Sequence, residues 1–85
     1  MSAAAADPGA SAPVPLAELP PGTTATVLEL DASVSIWRDR LVAYGVAPGR
    51  QVEVVQHAPV TVVRVERIDL AFETRIAAGI VVAPS

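Results

Sequence analysis

The side chains that could carry chemistry are few and scattered along the chain. The 85 residues include no cysteine and one histidine, His57. Without cysteine there is no disulfide, no thiolate metal site and no cysteine nucleophile. A single histidine among aliphatic residues has no second imidazole or thiolate with which to hold a metal ion. We therefore predict no metal site, no cofactor and an exposed His57 at the end of a strand.

The acidic side chains also lack the spacing that chemistry would require. Glu29, Asp31, Glu66 and Asp69 do not reproduce a calcium-binding loop. These acidic residues, together with Arg64 and Arg67, are typical of the solvated faces of strands. Ser33 and Ser35 come before a predicted helix, where a hydroxyl commonly caps the helix. Four of the five glycines lie at predicted turns or caps and form no phosphate-binding loop: Gly22, Gly45, Gly49 and Gly79. The sequence therefore predicts a protein that binds a partner and does not catalyse a reaction.

Two of the three aromatic residues fall on one predicted helix. Trp37, Leu41 and Tyr44 are spaced i, i+4 and i+7, which places them on one apolar stripe. Such a stripe can simply lock the helix onto a β core. Tryptophan, tyrosine and arginine are also enriched at binding hot spots. We therefore predict a partner-binding surface formed by Trp37, Arg40, Leu41 and Tyr44.

Composition bounds the class of protein. Hydrophobic residues make up 52% of the chain, and the net charge is −3 with six arginines and no lysine. Nucleic-acid binding is not expected, because it needs a clustered basic face. The longest apolar run, Ile76 to Ala83, is short of the roughly 20 residues that span a membrane as a helix. The N-terminus has no secretory signal, so we expect a soluble, cytoplasmic protein.

Residues 1–14 are rich in alanine and proline and are predicted to be a disordered tail, which leaves residues 15–85 as one domain. Within the domain, β-branched and alternating segments favour strands, and one segment favours a helix. In chain order, we predict a helical turn at Leu16–Leu19, a strand at Thr23–Leu30, a helix at about Ile36–Tyr44, strands from Gln51 to Val55, Val60 to Arg67 and Ile68 to Glu73, a turn at Thr74–Ala78 and a strand at Ile80–Val82.

Local signals mark the two ends of the predicted helix. Ser35 is a candidate N-cap. Gly45 lies where a left-handed C′ residue is favoured, and Val46 can make the hydrophobic contact of that cap. The following Pro48-Gly49 predicts a type II turn. Five short strands in about 70 residues cannot stack two broad sheets, so we predict a mostly β fold, a small SH3-like five-stranded barrel with one helix and short helical turns.

The ordered motifs resemble the FeoA family of bacterial ferrous iron uptake. The resemblance extends from Val14 to Val82 and rests on five pieces: Pro15-Leu16-x-x-Leu19-x-x-Gly22, Arg40-Leu41-x-x-Tyr44-Gly45-Val46-x-Pro48-Gly49-x-x-Val52-x-Val54, Ala58-Pro59, Leu70-Ala71 and Ala77-Ala78-Gly79-Ile80-x-Val82. Two features differ from the family pattern. The segment between Ala58-Pro59 and Leu70-Ala71 is shorter and lacks a glycine, and Phe72-Glu73 replaces a basic residue.

The resemblance implies a cytoplasmic partner of the FeoB transporter that modulates transport without carrying iron itself. Its partner would then be the cytoplasmic region of FeoB, with no nucleic acid and no insertion into the membrane. Similar domains also occur fused to metal-dependent transcriptional regulators. Two other functions stay open at this point: a generic SH3-like module that recognises a peptide, and a free-standing relative of the regulator domain that binds metal ions.

Overall fold

Six strands, rich in β-branched residues, build the domain. The structure is a computed structural model and describes residues 12–85. Within this range the strands are β1 Val14–Pro15, β2 Thr24–Leu30, β3 Gln51–Gln56, β4 Thr61–Val65, β5 Ile68–Phe72 and β6 Ile80–Pro84, and the α-helices are α1 Arg38–Ala43 and α2 Thr74–Ala77. Two 3-10 helices, Leu16–Glu18 and Ala32–Trp37, complete the regular structure. The predicted mostly β architecture is confirmed.

The strands form one antiparallel sheet in the order β1-β6-β2-β3-β4-β5. The five predicted strands are present, and β1 is an additional one that consists of two residues. Val14 pairs with Val82 and Pro15 with Val81, so paired structure begins inside the segment that the sequence assigned to the tail. The predicted disorder of the tail concerns mainly residues 1–11, which lie outside the described residues.

Alternating side chains from the sheet supply most of the core. Val52 and Val54 are buried on one face of β3, as their period of two predicts. Leu16 and Leu19, from the predicted turn that precedes β2, are both buried. The remaining buried apolar residues come from β2, the helical segments, the loop after α1, β4 and β6, and none comes from β5: Ala25, Val27, Leu30, Val34, Leu41, Val46, Val63, Val65, Ile76, Ala77, Ile80 and Val82.

The helical segment begins earlier than the sequence predicted. Asp31, not Ser35, is the N-cap, and its carboxylate accepts a hydrogen bond from the Ser33 amide at 2.8 Å. The 3-10 helix then bends at Val34, whose φ of −115° and ψ of 18° depart from helical values. Val34 is buried, and we attribute the bend to this burial. The prediction of Ser35 as N-cap is therefore wrong, because a capping residue four positions earlier starts the first helical turn.

The C-terminal end of the helix agrees with the prediction. Gly45 has a φ of +100°, the Gly45 amide donates to the Val42 carbonyl at 3.0 Å, and the Val46 amide donates to the Leu41 carbonyl at 2.9 Å. These two bonds are those of a Schellman cap, and the buried Leu41 and Val46 side chains are its hydrophobic pair. In the next turn, the Arg50 amide donates to the Ala47 carbonyl at 3.0 Å and Gly49 has a φ of +90°.

The β4–β5 hairpin differs from its prediction at the turn. The strand predicted to reach Arg67 ends at Val65, and Glu66 and Arg67 form a two-residue turn. Glu66 has a φ of +59°, the left-handed conformation that such turns require and that usually favours glycine. The hairpin is thus shorter than predicted, and it needs no glycine because Glu66 adopts this conformation.

Candidate interaction surface

A groove lies between α1 and β5, and we call it the α1–β5 groove. Its volume is about 230 Å³, below the roughly 300–1,000 Å³ of typical cofactor and small-molecule sites. The space suits one or two side chains of another molecule. Its lining residues come from the helical segment, from β5 and from the residues after it: Trp37, Arg40, Leu41, Tyr44, Leu70, Ala71, Phe72, Glu73 and Ile76.

The surface of the groove is mainly apolar and only partly covered. Leu41 and Ile76 are buried members of the core, whereas Leu70 and Phe72 are half-buried and pack against it. Tyr44 is 50% exposed, which is high for a large aromatic side chain. An apolar surface that a domain leaves in contact with water in a concave site is typical of a binding site.

The charges at the groove do not cancel. The Arg40 guanidinium lies 5.8 Å from the centre of the Trp37 ring, a cation–π distance. The ion pairs of residues 12–85 involve Arg50, Arg64 and Arg75, and Arg40 has no carboxylate partner there. Glu73 accepts a hydrogen bond from Arg75 at 2.5 Å. The groove therefore presents one positive charge that the described part of the domain does not neutralise.

All four residues predicted to bind a partner meet in this groove. Trp37, Arg40, Leu41 and Tyr44 form its helical wall. Leu41 is also buried in the core at 5% exposure, so for this residue the structural interpretation is confirmed. The sequence did not reveal the opposite wall. The alternation of Leu70 and Phe72 showed that they face the core side, but it carries no information on which helix they meet.

A polar region surrounds His57 and is partly buried. His57 is half-buried, not exposed as predicted. Its Nε2 atom donates a hydrogen bond to the Leu19 carbonyl at 2.6 Å, and its Nδ1 atom lies 2.9 Å from Oγ1 of Thr61. The prediction failed because Leu19 is 38 residues away in sequence and its approach depends on the tertiary fold.

The hydrogen bonds continue from His57 into the core. Thr61 is fully buried and is the only buried polar residue in the described range. Its hydroxyl donates to Oγ1 of Thr74 at 3.0 Å, and the Thr74 hydroxyl donates to the His57 carbonyl at 3.0 Å. We call these three residues the His57 network. Because a buried polar group costs free energy unless it is paired, the network fixes the residue after β3 against β4 and α2.

A family model and solved structures relate the chain to known proteins. The model of the FeoA domain matches residues 14–84.

The chain belongs to the FeoA domain family.

Among solved structures, an iron uptake regulatory protein (FeoA) is 25% identical with a TM-score of 0.76, and the match covers 87% of this chain and all of that one. FeoA from Stenotrophomonas maltophilia, solved in complex with zinc and described as a prokaryotic SH3 domain protein, is 31% identical with a TM-score of 0.63 and covers 82% and 93% of the two chains. The predicted SH3-like fold is confirmed.

The same fold occurs inside a larger protein. T. acidophilum IdeR superposes with a TM-score of 0.79 over 87% of this chain and 35% of its own, at 23% identity. At this identity the likeness concerns the fold alone. No match is found among curated protein sequences.

The FeoA-domain motif mainly specifies structure. Gly45 and Gly49 adopt the positive φ angles of the helix cap and the turn, and Val52 is a buried residue of β3. Phe72 and Glu73, which are expected from the sequence to differ from the family pattern, line the α1–β5 groove.

Two further observations concern metal ligands and the lengths of the helices. Among residues 12–85, no group of three or more histidine, cysteine, aspartate or glutamate residues is placed to hold a metal ion. Both ring nitrogens of His57 already have hydrogen-bonding partners, and the Asp31 carboxylate caps the 3-10 helix. In the described part of the chain, no helix combines the length and the apolar character needed to cross a lipid bilayer.

Proposed function

We propose that this FeoA domain is an accessory protein of bacterial ferrous iron uptake that binds the cytoplasmic region of the FeoB transporter and modulates transport. The observation that carries the proposal is the α1–β5 groove, where an apolar surface and an unneutralised Arg40 lie together. Membership of the FeoA domain family over residues 14–84 supplies the biological setting. The description of the S. maltophilia relative as a candidate ferrous iron transport activating factor supports the same role.

The groove supports binding more than catalysis. Its titratable side chains are Arg40, Tyr44 and Glu73, and Glu73 already bonds to Arg75. No histidine or second carboxylate in the groove stands ready to exchange a proton with Glu73, so a general acid–base pair is missing there. An aromatic and arginine surface above a buried leucine is instead the composition of a binding hot spot. The proposed function therefore contains no chemical step.

Titration of the isotope-labelled domain with the cytoplasmic domain of the cognate FeoB, with and without guanine nucleotide, tests the proposal. We expect saturable NMR shift changes for residues of the groove. Tyr44→Ala should weaken the complex by about tenfold or more, as truncation of an aromatic hot spot does. Val42→Ala is the matched control, because Val42 lies on the same helix with 42% exposure and does not line the groove.

The proposal is wrong if no binding is measurable under either nucleotide condition. If Tyr44→Ala and Val42→Ala have the same affinity for the FeoB domain, the α1–β5 groove is not the binding surface. Calorimetry with ferrous and manganous ions tests the metal-binding alternative. We expect no stoichiometric binding tighter than about 10 μM, because thiolate ligands and a second imidazole are missing.

A further inference from the structure

We infer that the free edge of β5 accepts an extended segment of another protein, which adds to the sheet as a further strand beside the α1–β5 groove. The segment carries an apolar side chain that enters the groove and a carboxylate that pairs with Arg40. The inference specifies how a partner is held, and it rests on the proposed function only for the identity of that partner.

The lining of the groove shows which part of β5 it meets. Side chains of consecutive strand residues point to opposite faces of a sheet. A cavity against one face would therefore touch the side chains of Leu70 and Phe72 and would reach Ala71 through its backbone. The α1–β5 groove touches Leu70, Ala71, Phe72 and Glu73 in succession. It therefore lies against the C-terminal half of β5 and the residue that follows, and β5 has no second neighbouring strand within residues 12–85.

The register identifies the backbone groups at this edge. Val65 pairs with Ile68 across the two-residue turn, followed by Arg64 with Asp69 and Val63 with Leu70. The pair that flanks a two-residue turn is hydrogen-bonded, and hydrogen-bonded and non-bonded pairs then alternate. The amides and carbonyls of Ile68, Leu70 and Phe72 thus face β4. Those of Asp69 and Ala71 face outward, where an added strand can bind them.

Charge and shape at the groove favour an acidic, extended partner. Arg40 lies at the helical wall without a carboxylate partner in the described range, and Glu73 is bonded to Arg75. A segment with an aspartate or glutamate complements the free charge, and an aliphatic or aromatic neighbour fills about 230 Å³. A proline-rich segment fits less well, because it lacks amides that could pair with the outward carbonyls of β5.

Selection from a phage-displayed library of random nine-residue peptides tests the recognition without a known partner. We expect enriched peptides with alternating residues, a central apolar side chain and a neighbouring carboxylate. When the most enriched peptide is synthesised and titrated, the largest amide shifts should occur at Asp69 and Ala71. Enrichment of proline-rich peptides, shifts confined to other surfaces, or no enrichment at all would each overturn the inference.

Ala71→Pro tests the backbone contact directly. Proline removes the outward amide and is tolerated on edge strands when its ring faces solvent. We expect at least a tenfold loss of affinity for the selected peptide, about the effect of a lost hydrogen bond plus the clash of the ring. Ala32→Pro is the matched control, because Ala32 is the exposed first residue of a 3-10 helix, a position that suits proline. Equal affinities of the two variants contradict strand addition.

Arg40→Glu keeps the test decisive if Ala71→Pro does not fold. Arg40 is exposed, so its replacement should leave the fold intact. Selection against the variant should then enrich lysine or arginine in place of the carboxylate, and an unchanged preference for acids would refute the role of Arg40. Concentration-dependent dimers that Ala71→Pro abolishes would show that a second copy of this chain, and not a different protein, occupies the edge.

Titration of the same variants with the FeoB cytoplasmic domain separates the two proposals. If FeoB binds the parent protein and Ala71→Pro equally well, the proposed function stands and strand addition is wrong. If the selected peptide binds as expected and FeoB does not, the edge is a binding site and the proposed partner is wrong.

Discussion

The His57 network and the α1–β5 groove are neighbours on either side of α2, yet their side chains are used in opposite ways. Thr74 of α2 belongs to the network, and Ile76 of the same helix lines the groove. In the network, the imidazole and both hydroxyls have partners inside the domain. In the groove, Tyr44 is half exposed and Arg40 has no acidic partner among residues 12–85.

Under the proposed function, this difference separates stability from recognition. Interactions completed inside the domain stabilise the fold and leave nothing for a partner to bind. Apolar surface and charge that stay in water contribute little to the free energy of unfolding, and they become favourable when another molecule covers them. Substitutions in the network should therefore lower stability at constant affinity, whereas exposed substitutions in the groove should lower affinity at constant stability.

Leu41→Ala should have the largest effect, because Leu41 belongs to both the core and the groove. Truncation of a buried leucine removes about 2–5 kcal/mol from the free energy of unfolding through lost burial and a residual cavity. Urea denaturation followed by the Trp37 fluorescence measures this loss. Val42→Ala, a residue with 42% exposure on the same helix, should stay within about 0.5 kcal/mol of the parent protein. A loss below about 1 kcal/mol for Leu41→Ala would show that the groove can collapse around the missing side chain.

Thr61→Val should have the next largest effect. It should lower stability through the His57 network and leave binding at the α1–β5 groove unchanged. The valine retains the shape of the side chain but leaves His57 Nδ1 and Thr74 Oγ1 without their buried partner. We expect a loss of about 1–3 kcal/mol in the free energy of unfolding, with unchanged affinity for FeoB or for a selected peptide. Thr24→Val on β2 is the control, since Thr24 is exposed. If Thr61→Val weakens binding as strongly as Tyr44→Ala does, the two regions are coupled and the comparison fails.

Arg40→Gln should change binding more than stability. Its cation–π contact with Trp37 is exposed to water, where such contacts contribute about 0.5–1 kcal/mol. The unfolding midpoint should therefore fall only slightly. The affinity for FeoB should lose part of its salt dependence, because a charge pair across the interface has been removed. Identical salt dependence of the two proteins would mean that Arg40 meets no acidic group of the partner.

The sequence predicts a structural feature well when the interacting residues are close together in the chain. Gly45 and the Pro48-Gly49 turn were predictable because a cap and a turn depend on neighbouring residues. The start of the helical segment was not predictable, because Asp31 and Ser35 can both cap a helix. The burial of Val34 favours the earlier start. Local signals therefore predict most elements and leave a choice between nearby boundaries.

The candidate site also depends on contacts between residues that are distant in sequence, which local signals do not predict. The helical spacing predicted one wall of the groove, Trp37 to Tyr44, because its residues lie in one continuous stretch from the end of the 3-10 helix to the residue after α1. The opposite wall at Phe72 requires the β4–β5 hairpin to close and to approach α1. His57 was misassigned for a related reason: its partner Leu19 lies 38 residues away, and no local pattern indicates that contact.

The smallest expected effect concerns the Arg64–Asp69 pair, which lies on neither region. Arg64 donates to the Asp69 carboxylate from Nε at 2.8 Å and from Nη2 at 3.3 Å. The hydrogen bond from Arg64 lowers the pKa of Asp69 below its ordinary 3.8, and the same bond raises the pKa of Arg64. Because the Asp69 pKa is lower in the folded state, the pair stabilises the fold above about pH 3.8, and this stabilisation is lost as the pH falls through the folded-state pKa.

Both side chains of this pair are about half exposed, so solvent screens the pair and we expect little change in the unfolding midpoint at neutral pH. Carbon-13 NMR titration of the Asp69 carboxyl is the more sensitive measurement. Its titration midpoint should rise in Arg64→Gln and stay unchanged in Arg67→Gln, since Arg67 forms no ion pair with Asp69. Equal midpoints in both variants would show that the cross-strand bond does not persist in solution.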